Sequence, residues 1–372
     1  MAIDPDSPRY RRQRILPGFG PDAQQRLADA HVVVLGAGGL GSTVLPSLAA
    51  AGVGTITVVD DDTVDDTNLH RQTLFSPADV GRLKADAAAD ALARIAPEVT
   101  VHRHPERFVA GATFDLLLDA DLLIDGTDNR PTRYLANDAA AIRAIPLVWG
   151  SALRFSGQVG VAWDERGVDY RDLLPENPDA GEDDTCEVAG VLPMVCAVTG
   201  AMMAAEAVKL LTGVGEPLLG RVAVYDALTG TTREIAYRRD PHAVRPGSLE
   251  DRTAIREPDP ARSVSAEQLA KLLAGPTTGG VHETPPLLLD VREAPEASFA
   301  ALPGSVLIPL GELPGRLGEL DPEAPVVVYC HHGVRSGRAL DVLEQAGFTR
   351  ARHLTGGIDA WSVKVDDSVP RY

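Results

Sequence analysis

A chain of 372 residues is too long for one ordinary hydrophobic core and predicts two unequal domains. A hydrophobic share of 44% is that of a soluble globular protein, and a formal charge of -18 argues against a nucleic-acid partner, which would demand clustered Lys and Arg. The three cysteines, at 186, 196 and 330, form no CxxC pair, which excludes a four-cysteine zinc site and an even disulfide framework and fits a reducing, cytoplasmic compartment.

Residues 1–14 (MAIDPDSPRYRRQR) have no apolar run, so neither a signal peptide nor an anchor is expected there. Short β-branched runs then alternate with helical patterns: HVVVLG at 31–36, TITVVD at 55–60, VTVH at 99–102, DLLID at 121–125 and PLVW at 146–149. Such alternation means βαβ units and a mainly parallel sheet. QVGVAW at 158–163, VAVYDALTG at 222–230 and REIAY at 233–237 read as hairpin strands extending that sheet, and the acidic stretch 164–187 reads as a mobile loop. The apolar helical pattern at 195–211 carries Glu206 and Lys209 and is short for a membrane span, so a buried or interface helix is expected, with no membrane partner. Charges, prolines and the lack of an apolar period mark an interdomain linker near 238–262. The predicted boundaries are 1–240 for the first domain, 241–262 for the linker and 263–372 for the second. The last of these opens with a helix, SAEQLAKLLA, and continues through the strands LLLDV, SVLIPL and VVVYC with a helix after each, again α/β.

The first chemistry-bearing motif is GAGGLG at 36–41, between a strand and a helix. Gly36, Gly38 and Gly41 let the backbone turn tightly and approach a phosphate, while the helix N-terminus offers unsatisfied N–H groups. Asp60 ends the next strand, where a carboxylate can bind ribose hydroxyls. These residues point to a nucleotide without saying which, and a nicotinamide dehydrogenase fits them too. Asn68, Arg71 and Gln72 follow, and Lys84 opens a helix; an Arg and a Lys aimed at one nucleotide neutralise a triphosphate and stabilise departing pyrophosphate. In DGTDNRPTR, Asp128 is a candidate Mg²⁺ ligand with Asn129 beside it, and an N-cap of the next helix is the competing reading of Asp128.

In the second domain Cys330 stands between a strand and a helix, where its sulfur sits over backbone N–H groups, and Arg335 adds a fixed positive charge. Such surroundings favour the thiolate, the form that accepts sulfur. The loop 330–335 encloses six residues, which suits a persulfide. His331 and His332 read as loop lining. Cys196, inside an apolar helix, reads as packing, and Cys186, among Asp183, Asp184 and Glu187, as a thiol of raised pKa.

RYRRQ at 9–13, VVLGAGGLGS, VVDDDTVDDTNLHRQTLF, VGRLKADAAADAL, IDGTDNRPTRYLAND and TCEVAGVLP resemble, in order and spacing, the ThiF/MoeB family of the ubiquitin-activating superfamily over roughly residues 9–240. LLLDVREAPE, LPGSVLIPL, VVVYCHHGVRSGRAL and HLTGGIDAW resemble a single-domain rhodanese over about 263–372. Where many ThiF/MoeB members carry two CxxC pairs around zinc, this chain reads GVDYRDLLPE at 167–176 and YRRDPHAVRPG at 237–247, which is similar to the fused, zinc-less MoeZ (MoeBR) subgroup.

The resemblance implies a Rossmann-like adenylation domain with a mixed sheet, followed by a smaller α/β rhodanese domain. It implies ATP and Mg²⁺ and no zinc, with Gly39 at the phosphates, Asp60 at the ribose, Asn68, Arg71 and Lys84 on phosphates and Asp128 on the metal. Arg12 matches an arginine that reaches the partner subunit's nucleotide, which implies a homodimer, and Cys186 matches a cysteine that in some relatives bonds covalently to the substrate protein. The implied reaction activates the C-terminal Gly-Gly carboxylate of a ubiquitin-like sulfur carrier (MoaD-, ThiS- or CysO-like) as acyl-adenylate. Persulfide sulfur on Cys330, supplied by thiosulfate or a cysteine desulfurase, then makes the thiocarboxylate, destined for molybdenum cofactor biosynthesis, thiamine, cysteine or a secondary metabolite. The alternative is adenylation alone, with the rhodanese domain handling sulfur independently.

Overall fold

The computed structural model describes residues 3–110, 112–175, 190–245, 247–249, 262–274, 285–331 and 333–370. The chain divides into two compact units, Met1–Thr253 and Ala254–Tyr372.

The strands of the first unit are β1 (His31–Leu35), β2 (Thr55–Val59), β3 (Thr100–His104), β4 (Leu122–Asp125), β5 (Leu147–Leu153), β6 (Ser156–Ala162), β7 (Arg221–Asp226) and β8 (Thr231–Ala236). They form one sheet in the order β3-β2-β1-β4-β5-β6-β7-β8, with the first five parallel and the rest joined antiparallel. The expected mixed α/β sheet is therefore present. Along β1, Val32 and Val34 enter one apolar core while Val33 and Leu35 enter the other. Both faces are covered, which is why the run is continuously apolar rather than alternating. Strand order reverses between β1 and β4, so the loops leaving their carboxyl ends open the crevice where doubly wound sheets bind ligands.

The Pro193–Thr212 helix is long and apolar enough to cross a membrane, with a mean hydropathy of 1.6. Here it packs Val195, Thr199, Met203 and Ala207 against β5, β6 and the Gly41–Ala51 helix. Its buried Glu206 accepts a hydrogen bond from Leu218 N at 2.8 Å and pairs with Lys209.

The opening residues of the acidic stretch depart from the mobile loop expected at 164–187, of which residues 176–187 lie outside the described residues. Residues 164–173 form a short 3-10 turn, Asp164–Arg166, and a helical turn, Tyr170–Leu173, closed by a capping box between Asp169 and Asp172. Cys186 and its acidic neighbours lie outside the described residues. The start of the expected linker also differs, because Arg239 and Arg245 tie back to the acidic stretch. Arg239 bonds Asp164 at 2.8 Å; Arg245 meets Asp164 at 3.1 Å and Asp169 at 3.2 Å and also pairs with Asp172. Charge pairing across more than 70 residues has no periodicity, so composition alone reads both segments as loops. These are the two segments that lack the CxxC pairs, and an ionic clip joins them.

Burial pushes the Asp169 carboxyl above its usual range, with Arg245 opposing the shift. Arg245→Ala would strand two buried carboxylates and is expected to cost about 2–4 kcal/mol. The melting temperature of this unit should fall by roughly 5–10 °C, while a chelator leaves that of the unaltered protein unchanged. Calorimetry of both proteins with and without chelator checks this, and an unmoved transition in the variant would dismiss the clip.

The second unit carries β9 (Ser263–Val264), β10 (Leu287–Asp290), β11 (Val306–Leu307), β12 (Val326–Tyr329) and β13 (Ala351–Leu354) in a parallel sheet of order β11-β10-β12-β13-β9. Leu289, Val328 and Cys330 face one core and Leu288, Val327 and Tyr329 the other, so strand alternation fixes the side on which the cysteine emerges. β9 and β13 are too short or too polar for the strand pattern to reveal.

Candidate active site

In the first unit, loops after β1, β2 and β4 converge at one sheet edge. Gly36 takes a φ of +85°, and a side chain at Gly41 would overlap the Gly36 carbonyl oxygen, so the turn into the Gly41–Ala51 helix closes only with glycine there. Gly126 N donates to Leu35 O at 2.9 Å, bringing the β4 loop against the glycine loop. Gly39 lies over Cys196, whose Sγ would be 2.9 Å from a Cβ at that position. Burial pushes the Cys196 thiol up, consistent with packing. No side chain caps the helix N-terminus.

Asp60 follows β2, and its Oδ2 accepts from Ala37 N at 2.7 Å while Oδ1 accepts from Asp62 N at 2.9 Å. Burial pushes its carboxyl up to about 6, against the pull of Lys84. Lys84, buried as the first residue of the Lys84–Ile95 helix, places Nζ 2.9 Å from Asp62 Oδ2. Asp62, an unanticipated residue, thus occupies the lysine. Asn68 caps a turn by accepting from Arg71 N and Gln72 N through its carbonyl, and Arg71 reaches His70 Nε2 at 2.9 Å. Gln72 is buried near Gly38 with its Oε1 lacking a hydrogen-bond partner among the described residues. The amide atom recorded nearest Gly38 is Nε2, a donor suited to a phosphate oxygen.

Asp128 is exposed and bonds to no other described residue. The cap of the Arg130–Ile142 helix is Asn129, whose Oδ1 accepts from Thr132 N at 2.9 Å. This removes the N-cap reading of Asp128 and commits the Asn129 oxygen to the helix. Below the loop, Asp125 is buried on Arg133 Nε at 2.9 Å and on Thr127 N and Oγ1, and Arg133 also donates to Thr127 O and Gly150 O. That pair, invisible to motif reading, anchors the segment carrying Asp128. Arg12 is exposed on the short helix Arg11–Arg14. Among the described residues, no cluster of His, Cys, Asp or Glu is arranged to hold a metal ion alone.

In the second unit the Cys330 sulfur is buried and accepts from Gly333 N at 3.1 Å and Ser336 N at 3.4 Å. Gly333, at φ +105°, begins the Val334–Gln345 helix and turns these amides inward. The loop carbonyls are held from behind, Cys330 O by Ile358 N at 2.9 Å and His331 O by Asp359 N at 3.2 Å, and a side chain at Gly357 would overlap both oxygens. Arg335 is not a lone charge beside the sulfur: its guanidinium grips Glu296 in a bidentate pair at 2.6 and 2.7 Å. Burial pushes Glu296 up, but Arg335 and the Glu293 amide outweigh it and hold the carboxyl below its usual range. Glu296 escaped sequence reading, although EAPE at 293–296 carries the spacing of its capping box. His331 is buried, and His332 lies outside the described residues.

A doubly wound sheet with a phosphate-type glycine loop, joined to a unit that seats a thiol on backbone amides, defines a nucleotide-using enzyme fused to a sulfur-handling domain. The ThiF family model matches residues 10–244 and the rhodanese-like domain model residues 265–364. The chain belongs to the ThiF family, with a C-terminal rhodanese-like domain, and is an adenylyltransferase and sulfurtransferase. It is 42% identical over 377 residues to the "Probable adenylyltransferase/sulfurtransferase MoeZ" of Mycobacterium tuberculosis, covering 98% of this chain and 95% of that protein. Over 238 residues it is 47% identical to the "Sulfur carrier protein adenylyltransferase" of Thermus thermophilus, covering 63% of this chain and 88% of that protein. The crystal structure of E. coli MccB with ATP shares the fold with a TM-score of 0.56 at 23% identity, over 65% of this chain and 75% of that one.

Proposed function

We propose that this enzyme activates the C-terminal carboxylate of a ubiquitin-like sulfur carrier ending in Gly-Gly and converts it to a thiocarboxylate. The observation carrying this reading is that one chain holds both a nucleotide crevice and a thiol seated on amides. ATP lies with its phosphates over Gly36, Gly38, Gly39 and Gly41, its ribose on Asp60, and Asn68, Gln72, Arg71 and Lys84 along the phosphates. Lys84 leaves Asp62 as the triphosphate arrives, exchanging one anion for another.

An exposed carboxylate at a loop suits Mg²⁺, which binds through one or two protein oxygens and the substrate's phosphates. Asp128 would hold it, and the ion would neutralise charge on the departing pyrophosphate. The carrier carboxylate attacks the α-phosphorus and pyrophosphate leaves. Arg71 and Lys84 stabilise the developing charge. The terminal sulfur of the Cys330 persulfide then attacks the acyl carbon and AMP leaves. The resulting acyl disulfide releases the thiocarboxylate when a thiol reduces its S–S bond.

The active form is a homodimer in which Arg12 reaches across. Support comes from the uncharged outer face of the Pro193–Thr212 helix, where Met194, Ala197, Ala201 and Ala205 are exposed, and the mass in solution reads it. The overall proposal is tested by incubating the protein with candidate carriers, ATP and thiosulfate and weighing the carrier; no mass change with any of them would defeat it.

Asp60 supplies a pH signature. Its folded-state pKa of about 6 lies above the ordinary 3.8, so ionisation works against folding above pH 6 and that penalty fades as pH falls toward 4. Ribose binding has the opposite sense, because the anion is the better acceptor. ATP affinity should therefore drop more steeply for the parent than for Asp60→Asn as pH falls from about 7 to 5, since the terminal phosphate of ATP titrates in that window for both proteins. Calorimetric titration at several pH values decides it; parallel curves for both proteins would remove Asp60 from the ribose.

A further inference from the structure

The sulfur loop rests on a buried titratable side chain that the reaction above does not use. Ser336 is fully buried in the first turn of the Val334–Gln345 helix, and its Oγ lies 3.7 Å from Cys330 Sγ, 3.0 Å from Gly333 O and 3.3 Å from His353 Nδ1. His353 stands on β13, 3% exposed, and its Nε2 has no hydrogen-bond partner among the described residues. The charged group that acts on it is Arg262, which itself pairs with Asp341 and Glu344. Burial, with Arg262 adding to it, pulls the His353 pKa down, so the ring is neutral at pH 7.

A neutral imidazole carries one N–H. Leaving a buried N–H without an acceptor costs more than leaving a lone pair without a donor, so the hydrogen-bond network assigns the proton to Nδ1, donating to Ser336 Oγ. The hydroxyl then keeps its own proton for an acceptor. With Cys330 as the thiol, S–H donates to Oγ and the hydroxyl proton points to Gly333 O. With Cys330 ionised, that proton can turn to the sulfur while Nδ1 keeps Oγ in place.

We propose that His353 is a positioning residue for sulfur transfer, holding the Ser336 hydroxyl as a hydrogen-bond donor to the anionic sulfur of Cys330. The inference rests on Cys330 being the sulfur-carrying thiol. No covalent bond to His353 or Ser336 forms, and the thiol proton leaves to a base in solution.

The test is the pH dependence of Cys330 alkylation by iodoacetamide in the full-length protein, followed by peptide mass spectrometry, alongside persulfide formation from thiosulfate. His353→Leu and Ser336→Ala should each move the alkylation midpoint up by about one pH unit, and the double variant should move it no further. Persulfide formation at pH 7 should fall about tenfold in each and recover at higher pH. His353→Asn, whose amide can donate from near the Nδ1 position, should restore most of the lost rate. A His353→Leu profile superimposed on the parent, or additive shifts in the double variant, would overturn the proposal. Should His353→Leu fail to fold, Ser336→Ala with an unmoved midpoint would overturn it equally. A parent protein that takes no sulfur from thiosulfate defeats the sulfur-relay reading instead, and the alkylation profiles still judge His353.

Discussion

Cys330→Ala should leave carrier-dependent ATP–pyrophosphate exchange at its original rate and abolish thiocarboxylate formation from thiosulfate. The substitution removes the sulfur that the Gly333 and Ser336 amides hold, and every proposed nucleotide ligand belongs to the other compact unit. Adenylation is over before sulfur is needed, so the two half-reactions come apart. Loss of a nucleophile that nothing else in the loop can replace predicts a fall beyond about a thousandfold in the second step. Alanine is smaller than cysteine and the site is buried, so a melting curve accompanies the assay to show that the unit remains folded. The decisive reading is the carrier's mass after incubation with ATP and thiosulfate. A sulfur-for-oxygen exchange at the parent rate would sink the relay and leave adenylation alone, with the rhodanese domain acting independently.

Asp128→Ala should reduce pyrophosphate exchange by about a hundredfold or more, a loss of about 2.7 kcal/mol from the barrier. This carboxylate is a cleaner probe than Lys84. Lys84 is buried and paired with Asp62, so its removal mixes catalytic and folding effects. Asp128 is exposed, bonds to no described residue and caps nothing, so its loss should leave the melting temperature unmoved. Exchange that survives nearly intact would show that the metal is held elsewhere. A variant whose activity returns at high Mg²⁺ would strengthen the assignment, since a weakened site fills by mass action.

Much of this was legible in the sequence, and the boundary has a physical origin. Strand runs, the glycine turn, Asp60 and the cysteine loop all announce themselves through spacing within one or two elements, because local backbone geometry dictates those residue types. The sheet with its antiparallel extension was likewise readable from run length and alternation. What escaped are pairings between charges far apart along the chain. Glu296 meets Arg335 from 39 residues away and Arg245 meets Asp172 from 73. Neither carries a periodic signal. The same blindness left the carboxylate partner of Arg335 unread and made residues 164–173 look like loose loop. Asp125 and Arg133 are closer together, but a Rossmann strand ending in Asp has too many ordinary explanations for the pair to be singled out. Asn129 shows a finer limit: adjacent Asp and Asn residues before a helix are equal candidates for its cap, and only the backbone path chooses between them.

The backing of the sulfur loop by Ile358 and Asp359 amides has a bearing on how such a domain ages under mutation. The carbonyls of Cys330 and His331 are pinned from behind by main chain, and the sulfur is met in front by main chain, so the contour that makes the thiol useful is built with few side chains. Lineages are therefore free to change side chains along the rim of the loop, altering which partner approaches, while inheriting the reactive centre whole. Gly357 has no such liberty, because any heavier residue would press on the two pinned oxygens. Diversification of donor and acceptor proteins should accordingly outpace any change in the chemistry they share.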